Sequence, residues 1–380
     1  DPECIQASKL VINLATTLKD IPEDVHFGQV KSDHMLVVSY DPVIGWSAPE
    51  IKPYGPLSLD PAASCFHYCP NVFEGMKAYL GPDGKPRLFR PKKNMERLLR
   101  SAERVALPPF DPDALLVLIK RLVMIDARWI PSKPDHSLYI RPTFIGTRPA
   151  LGVAASDSAL LYVILTPTGP YFSTTGKAKG VSLLSVGKTV RSWPGGTGGH
   201  KLGLNYAPGF LPQRLAAEQG YEQILWLLGE EQRITEAGSM NFFIVVQRKD
   251  GDLDVITPPL DGTILPGITR HSCLELLEAH NSRAVLPGIP ASTKIYTYER
   301  TLTMPHVALY FGDGTLLEAF GVGTAVAVAP IGRIGYEGRD LVLPSENVGL
   351  GDVGRALLER LIDIQTGRVE FENWSEICEV

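Results

Sequence analysis

The feature that most constrains this fold is a polar stretch near the middle of the chain that separates two sets of apolar strand patterns. The stretch GPYFSTTGKAKG, at 169–180, is rich in glycine, threonine and lysine, a composition typical of a linker. Strand patterns stand on both sides of it, for example SLYIRPTFIGT at 137–147 and NFFIVVQ at 241–247. Since both halves also contain helical patterns, the sequence predicts an α+β protein with two α/β domains. The predicted parts are a small N-terminal domain (1–170), a short interdomain loop (171–176) and a large C-terminal domain (177–380).

Turn and capping residues predict elements within each half. HMLVVSYD (34–41) has the composition of a strand, and 73–91 has the pattern of a hairpin with PDGK at its turn. Asn94 is placed to cap a helix through NMERLLRSAERVAL, and Asp111, followed by proline, predicts the start of a helix over 111–130. The other predicted elements are strands at 159–169, 223–229 and 324–331 and helices at 269–280 and 352–365.

Charge and composition exclude some classes of protein. The 380 residues carry a formal net charge of −5, which offers no basic face to nucleic acid. No apolar run reaches the ~18 residues needed to span a membrane, and no signal peptide is visible in the sequence as it stands. Five cysteines are too few, and odd in number, for a disulfide framework. We therefore expect a protein that binds neither nucleic acid nor membrane and is not secreted.

One cluster has the residue types of a metal site. In SCFHYC, the side chains of Cys65, His67 and Cys69 share one face if the segment is extended. No fourth ligand follows at the spacing of a zinc site, and the usual C-x2-C pair is absent. We therefore expect a strand whose small polar and aromatic residues face a pocket, with no bound metal.

A single lysine lies in a glycine-rich part of the chain. The segment SWPGGTGGHKLGLNYAP (192–208) carries Lys201 among glycines. GGTGGHKL is not a phosphate loop, since no serine or threonine follows the lysine, and GVGTAVAVAP has only two of the three glycines of a dinucleotide motif. Lys201 is therefore either a solvated loop lysine or a residue around which a flat ligand approaches the backbone closely.

Two further features have both an ordinary and a functional explanation. In GTILPGITRHSCLELLEAH (262–280), a loop leads into a helix near Thr269, and the N–H groups at a helix start either bind an anion or are simply capped. In ITEAGSMN, Glu236 precedes a tight turn and a buried strand. That glutamate is either solvated or faces the ring nitrogen of a ligand.

Together these segments resemble the branched-chain amino-acid aminotransferases, which are pyridoxal-phosphate (PLP) enzymes of fold type IV. The resemblance is carried by GGHKLGLNYAP around Lys201, ITEAGSMN around Glu236 and LPGITR at 265–270. It extends in family order from about residue 27 to the C-terminus, and the eukaryotic-type members are the most similar. The other segments are FGQVKSDHM (27–35), HYCPNVFEGMKAY (67–79), RLFRPKKNMERLLRSAERVALP (87–108), SLYIRPTFIGT (137–147), GPYF (169–172) and FGVGTA (320–325).

The resemblance implies contacts with PLP. Lys201 would bond covalently to the PLP aldehyde and then move the proton between the substrate Cα and the cofactor. Glu236 would keep the ring nitrogen protonated, and Tyr206 would hydrogen-bond the ring oxygen. Arg97 would bind the phosphate, with a solvated helix arginine as the alternative. The remaining implied contacts are Ile268, Thr269 and Thr324 at the phosphate and Leu265 at the ring face.

The resemblance also implies a substrate site, largely from the first half. Arg141 would orient the pocket and help to bind the distal carboxylate of 2-oxoglutarate. The backbone of Thr324 and Ala325 would bind the substrate α-carboxylate. For at least one of the aromatic residues, ordinary core packing is the alternative. The implied wall residues are Phe27, Tyr68, Phe73, Tyr139, Val153 and Tyr171.

The implied reaction transfers the amino group of L-leucine, L-isoleucine or L-valine to 2-oxoglutarate, which becomes glutamate. Alternatives on the same fold are a D-amino-acid transaminase, an (R)-amine transaminase and an aminodeoxychorismate lyase, and a further one is a PLP-binding protein without turnover. The segments YIRPTFIGT and GPYF favour the branched-chain group. The resemblance also implies a homodimer in mitochondria or cytoplasm.

One departure from the family pattern concerns oxidation. Mammalian members carry a Cys-x-x-Cys pair just after the GTA turn, whereas this chain has Val326 and Ala329 at those positions. Neither side chain forms a thiolate or a disulfide. If Cys65 and Cys69 lie on one strand, their Cα atoms are roughly 13 Å apart, too far for a disulfide. We therefore expect activity that mild peroxide changes little.

Overall fold

The computed structural model describes residues 4–171 and 179–379, and the chain divides into two compact units. The predicted domains are continuous in sequence, whereas each of these units draws on separate segments. Residues 172–176 of the predicted interdomain loop lie outside the described residues, and the predicted domain boundaries stay predictions. The first unit comprises Asp1–Tyr171, His200–Leu204 and Asp363–Val380, and the second comprises Phe172–Gly199 and Asn205–Ile362.

The elements of the described residues are numbered in chain order. The strands are β1 (Val11–Ile12), β2 (His34–Asp41), β3 (Gly45–Trp46), β4 (Glu50–Pro53), β5 (Asn71–Phe73), β6 (Met76–Leu80), β7 (Pro86–Phe89), β8 (Ser137–Gly146), β9 (Ala159–Thr168), β10 (Val181–Val186), β11 (Gln223–Leu228), β12 (Arg233–Ala237), β13 (Asn241–Gln247), β14 (Leu253–Thr257), β15 (Ile295–Glu299), β16 (Leu316–Gly323), β17 (Ala327–Tyr336), β18 (Arg339–Val342) and β19 (Ser375–Ile377). The α-helices are α1 (Ser64–His67), α2 (Pro91–Arg104), α3 (Pro112–Ile125), α4 (Phe210–Glu218), α5 (Ile268–Arg283), α6 (Met304–Gly312), α7 (Ser345–Val348) and α8 (Asp352–Gln365). Short 3-10 helices lie at Ala7–Lys9, Ala127–Trp129, Gly203–Asn205 and Ala207–Gly209.

The first unit is built on one mixed sheet with α2 and α3 packed against it. Its strand order is β1-β4-β2-β9-β8-β6-β7-β19, with β3 paired to β2 and β5 paired to β8. The centre is the long antiparallel pair β8 and β9, whose register runs from Ser137↔Thr168 to Gly146↔Ala159. Leu98 of α2, Ile119 of α3 and Leu161 of β9 belong to one fully buried apolar cluster. That cluster is the core of the first unit.

The second unit has its own mixed sheet and its own core. The strand order is β12-β11-β10-β17-β16-β13-β14-β15, with β18 paired to β17. β13 is buried at six of its seven positions, which explains its continuous apolar run, since a strand covered on both faces does not alternate. Phe242 and Ile244 of this strand are fully buried beside Ile331 of β17.

Within the ranges that the structure describes, no helix combines the length and the apolar character needed to cross a membrane.

Local sequence signals predicted several elements correctly. The strands at 34–41 and 241–247 and the helix at 352–365 have these bounds in the structure. The hairpin at 73–91 is confirmed by the antiparallel pair β6 and β7. Asp111 caps α3, because its Oδ1 accepts the N–H groups two and three residues later at 2.9 Å and 3.1 Å.

Two local predictions in the first unit are wrong. α2 begins at Pro91, whose fixed φ suits the first position of a helix, so Asn94 lies buried inside the helix and is not its cap. The segment around Cys65 is not a strand, because residues 64–67 form the helical turn α1. The extended geometry assumed for Cys65, His67 and Cys69 is therefore absent, and the distance derived from it does not apply. Among the described residues, no group of three or more His, Cys, Asp or Glu side chains is placed to hold a metal ion.

Candidate active site

Lys201 lies in the short segment His200–Leu204 that belongs to the first unit. Its backbone is bonded on both sides, because its N–H donates to Ser101 Oγ at 2.9 Å and its carbonyl accepts the Phe73 N–H at 3.2 Å. The next residue, Leu202, is fully buried in the core of this unit. Lys201 Nζ lies 4.8 Å from the centroid of the Phe73 ring. The main chain of this lysine is therefore held in place independently of its side chain.

The glycines that precede Lys201 are explained in part by close packing within the second unit. A Cβ atom at Gly198 would lie 2.6 Å from the Thr263 carbonyl oxygen, so no other residue fits there without a shift of the backbone. Two hydrogen bonds close the loop nearby: Thr197 Oγ1 donates to Asn205 Oδ1 at 2.7 Å, and Asn205 Nδ2 donates to the Thr197 carbonyl at 3.0 Å. The idea that these glycines also let a flat ligand approach stays a prediction.

A buried ion pair that the sequence did not single out lies in the first unit with Lys201. Glu74 is fully buried, and its carboxylate accepts Arg97 Nε at 2.7 Å, Arg97 Nη2 at 2.9 Å and Asn94 Nδ2 at 2.8 Å. Burial alone would raise the pKa of this carboxyl. The charge and hydrogen bonds of Arg97, the charge of Lys201 and the Asn94 hydrogen bond outweigh burial and lower that pKa. Glu74 is therefore ionised and neutralises Arg97.

Arg97 is only 6% exposed, so the alternative of a solvated helix arginine is wrong. Its role at a phosphate stays a prediction. Its partner Glu74 could have been recognised from the sequence, because this glutamate stands between the apolar residue Phe73 and the apolar strand β6. A charge buried at such a position needs an opposite charge beside it.

Five of the residues implied for the substrate site lie in ring and cation contacts within the first unit. The Phe27 ring lies edge-on to the rings of Tyr139 and Tyr171, with centroids 4.8 Å and 5.5 Å apart. The Arg141 guanidinium lies 4.6 Å from the Phe73 centroid and 5.2 Å from the Tyr139 centroid, and Arg141 Nη2 donates to Tyr139 Oη at 3.1 Å. Arg141 Nε is buried, and the described residues offer it no acceptor. The group therefore combines apolar rings with one cation.

Two other implied wall residues lie at exposed positions. Tyr68 is 42% exposed, and its hydroxyl donates to the Leu151 carbonyl at 2.5 Å. Val153 is 84% exposed. Their assignment to a substrate wall stays a prediction.

Glu236 is a buried carboxyl group in the second unit. It lies in β12, and its side chain is 3% exposed. Oε1 accepts the Leu265 N–H at 2.7 Å, and Oε2 pairs with Arg191 Nε at 3.0 Å. Arg191 Nη1 also donates to the Thr263 carbonyl at 3.2 Å. The alternative of a solvated glutamate is therefore wrong, and Arg191 is a partner that sequence analysis missed.

The start of α5 lies close to Glu236 through Leu265. Leu265, Ile268 and Thr269 are buried, and Asn241 Nδ2 donates to the Leu265 carbonyl at 3.0 Å. The cap residue Gly267 has no side chain to accept from the first N–H groups of α5. Peptide N–H groups at a helix start attract anions. This end of the helix has the donors that a phosphate requires.

The remaining predicted residues of the second unit lie on turns. Thr324 and Ala325 are half-buried between β16 and β17, where the last strand pair is Gly323↔Ala327. The strand predicted at 324–331 therefore begins only at Ala327, since Thr324, Ala325 and Val326 form the turn. Tyr206 is half-buried at the start of a 3-10 helix, and its carbonyl accepts the Gly209 N–H at 2.9 Å.

Comparisons with known proteins identify a family. The amino-transferase class IV family matches residues 71–334. "Branched-chain-amino-acid aminotransferase, mitochondrial" of Schizosaccharomyces pombe is 45% identical over 98% of this chain and 86% of its own. "Branched-chain-amino-acid aminotransferase, cytosolic" of Mus musculus is 46% identical over 97% and 93%. The T.th. branched-chain amino acid aminotransferase with pyridoxamine 5'-phosphate has a similar structure, with a TM-score of 0.69, 25% identity, and coverage of 90% of this chain and 98% of that one.

Proposed function

The chain belongs to the amino-transferase class IV family, and we infer that it is a branched-chain-amino-acid aminotransferase. Relatives of that name are 45% and 46% identical over nearly the whole chain. The two α+β units have the fold type IV architecture, which is the fold class that the sequence predicts. The D-amino-acid, (R)-amine and aminodeoxychorismate alternatives are not favoured by these relatives.

We propose PLP as the cofactor, in keeping with the family and with the pyridoxamine 5'-phosphate in the similar T.th. structure. The donor set of this chain fits that group. Glu236 supplies a buried carboxylate for a protonated ring nitrogen, and Lys201 supplies an amine for the aldehyde. Arg97 and the N–H groups of Ile268 and Thr269 supply donors for the phosphate. When bound, PLP accepts the electron pair released at the substrate Cα.

The residues of this chain supply proton transfer and orientation. We propose that Lys201 would take the proton from the substrate Cα and deliver it to the aldehyde carbon of the cofactor, and would move it in the opposite direction when 2-oxoglutarate becomes glutamate. Glu236 keeps a proton on the ring nitrogen, and Arg191 holds the Glu236 carboxylate in place. Tyr206 donates to the ring oxygen, and Leu265 contacts the ring face. The GTA turn supplies the hydroxyl of Thr324 to the phosphate and the backbone of Thr324 and Ala325 to the substrate α-carboxylate.

The geometric observation that carries the proposal is the Arg141 group. One site must accept both an aliphatic side chain and the carboxylate side chain of 2-oxoglutarate. The rings of Phe27, Phe73 and Tyr139 offer apolar surface to the first. Arg141 offers the second a cation whose buried Nε has no acceptor among the described residues, and a carboxylate satisfies such a donor.

We also propose that the protein is a homodimer and that it acts in mitochondria or cytoplasm and is not secreted. Relatives of both locations are similar to this chain. In the second unit, α4 exposes Phe210 to 70% and Leu211 to 54%, and exposed apolar side chains on one helix are typical of a protein contact.

A borohydride experiment tests the assignment of Lys201. Reduction of the PLP-loaded protein should fix the cofactor to Lys201, as read by peptide mass, and Lys201→Ala should lose both the adduct and L-leucine-dependent glutamate formation. Lys188→Ala, an exposed lysine upstream, should retain both. An adduct on another lysine, or turnover by Lys201→Ala, would contradict the assignment.

A further inference from the structure

Residues 19–33 form an irregular loop of the first unit whose two ends are bonded together. Asp33 Oδ1 accepts the Lys19 N–H at 2.9 Å, and Lys19 Nζ donates to the Ser32 carbonyl at 2.8 Å. The middle of the loop is a tight turn in which Gln29 N–H donates to the His26 carbonyl at 3.2 Å. These residues form a compact closed loop with a bonded base and a turn at its tip.

The base of the 19–33 loop is centred on Asp33. This carboxylate is 3% exposed, and its Oδ2 accepts Trp129 Nε1 at 2.7 Å, Arg128 Nη2 at 2.7 Å and Arg128 Nε at 3.1 Å. Arg128 Nη2 also donates to the Lys19 carbonyl at 2.6 Å. Burial would raise the pKa of Asp33, but the hydrogen bonds from Lys19 N–H, Trp129 and Arg128 together outweigh it and lower that pKa. Asp33 is therefore ionised, and its carboxylate connects both ends of the loop to Arg128 and Trp129.

The residue after Asp33 anchors the chain on the same side. His34 N–H donates to Asp126 Oδ2 at 2.9 Å, and His34 Nδ1 lies 2.6 Å from Asp126 Oδ1. His34 Nε2 accepts the Ala15 N–H at 2.9 Å, so the proton of this ring is on Nδ1. The end of the loop therefore enters β2 at a buried, fully bonded position.

The tip of the 19–33 loop carries Phe27. The following residue, Gly28, has a φ of 73°, which a residue with a side chain rarely adopts. At this sharp turn the Phe27 ring packs against the Tyr139 ring, with the two centroids 4.8 Å apart. Phe27 is still 36% exposed, so its own packing is only partial. The hydrogen bonds at the base restrict the conformations of the loop. Less conformational entropy is therefore lost when a ligand binds against Phe27 at the tip.

We propose that Asp33 is a positioning residue for the substrate side chain: by closing the base of the 19–33 loop, it holds Phe27 in the apolar wall that receives branched aliphatic groups. Asp33 itself acts from the far end of the loop and contacts no reacting group. This inference rests on the proposed function and on the place of Phe27 in its substrate site. It adds Asp33 as a residue that affects the substrate site only through Phe27.

A double-mutant cycle on the PLP-loaded enzyme tests the proposal. Asp33→Asn keeps the shape but removes the charge, and it should raise KM for L-leucine about tenfold, equivalent to about 1.4 kcal/mol, with kcat within twofold. KM for L-glutamate should change less, since its carboxylate is assigned to Arg141. Because Asp33 acts through Phe27, Asp33→Asn combined with Phe27→Ala should have the KM of Phe27→Ala alone. Asp24→Asn, an exposed aspartate of the same loop, is the matched control and should leave KM unchanged.

Hydrogen exchange supplies a second readout that does not depend on turnover. In Asp33→Asn, the amides of the loop should exchange at least tenfold faster than in wild type and in Asp24→Asn, while the amides of α3 and β8 keep their rates. Additive KM effects in the cycle, or unchanged exchange in the loop, would overturn the proposal for Asp33. Wild-type enzyme that fails to turn over L-leucine would instead refute the proposed function itself.

Discussion

Replacement of Glu74 by glutamine should destabilise this protein far more than the small change in shape suggests. The Glu74 carboxylate accepts two hydrogen bonds from Arg97 and one from Asn94. Glutamine keeps one acceptor oxygen but turns an NH2 group toward these donors, and it leaves the Arg97 charge buried without its counter-charge. Removal of one partner of a buried ion pair costs about 3–5 kcal/mol.

We expect about 3 kcal/mol for Glu74→Gln, at the lower end of that range because one acceptor remains. This is a large part of a typical stability of roughly 5–15 kcal/mol. The folded-state pKa of Glu74 is lowered, with burial opposed by Arg97, Lys201 and Asn94. The ionised carboxylate therefore stabilises the fold above the unfolded-state pKa, and this contribution is lost as pH falls through the folded-state pKa. The difference between the two proteins should be full at neutral pH and should shrink only in acid.

Urea unfolding followed by circular dichroism, at pH 7 and at a series of acidic pH values, measures this difference. Glu96→Gln, at an exposed position of the same helix, is the control and should lie within about 0.5 kcal/mol of wild type. A Glu74→Gln protein as stable as wild type at pH 7 would show that the ion pair does not stabilise the fold. A difference that stays constant into acid would show that the charge of Glu74 is not its cause.

Two further outcomes follow from the site. Glu236→Gln should retain PLP in dialysis, but its rate in the half-reaction with L-leucine should fall at least about 100-fold, because an amide does not keep the ring nitrogen protonated. Stopped-flow absorbance measures this rate, and an unchanged rate would show that Glu236 has only a structural role. Graded peroxide followed by dithiothreitol should change the initial rate little, because Val326 and Ala329 form no disulfide; a steep loss that dithiothreitol reverses would place a redox switch at another cysteine.

Elements with short-range signals were predictable from the sequence. The continuous apolar run of β13 and the Asp111 cap of α3 are set by neighbouring residues, and both were predicted correctly. Asn94 was wrongly predicted to cap α2, because the helix already begins at Pro91. The side-chain amide of Asn94 instead donates a hydrogen bond to Glu74. The segment at Cys65 was misplaced because its alternating pattern covers only five residues, too few to separate a strand from a helical turn.

The sequence singled out candidate site residues where a short motif contains them, but it did not single out the residues that bond to them. Lys201 and Glu236 lie in compact motifs, but Ser101, which bonds the Lys201 backbone, lies 100 residues before it. Arg191 and Glu74 likewise owe their roles to residues that are distant in sequence. Such pairings depend on how the chain packs, and neither hydrophobic period nor capping chemistry encodes them. The assignment of His200–Leu204 to the first unit has the same origin.

The most direct test of the central claim is an amino-donor panel with 2-oxoglutarate, read by glutamate formation on the PLP-loaded protein. L-leucine, L-isoleucine and L-valine are compared with D-alanine and with an (R)-amine at equal concentration. We expect glutamate from the three branched-chain L-amino acids at rates at least about 100-fold above those from the other two donors, a discrimination of about 2.7 kcal/mol. Turnover of D-alanine or of the (R)-amine with none of the branched-chain L-amino acids would contradict this expectation.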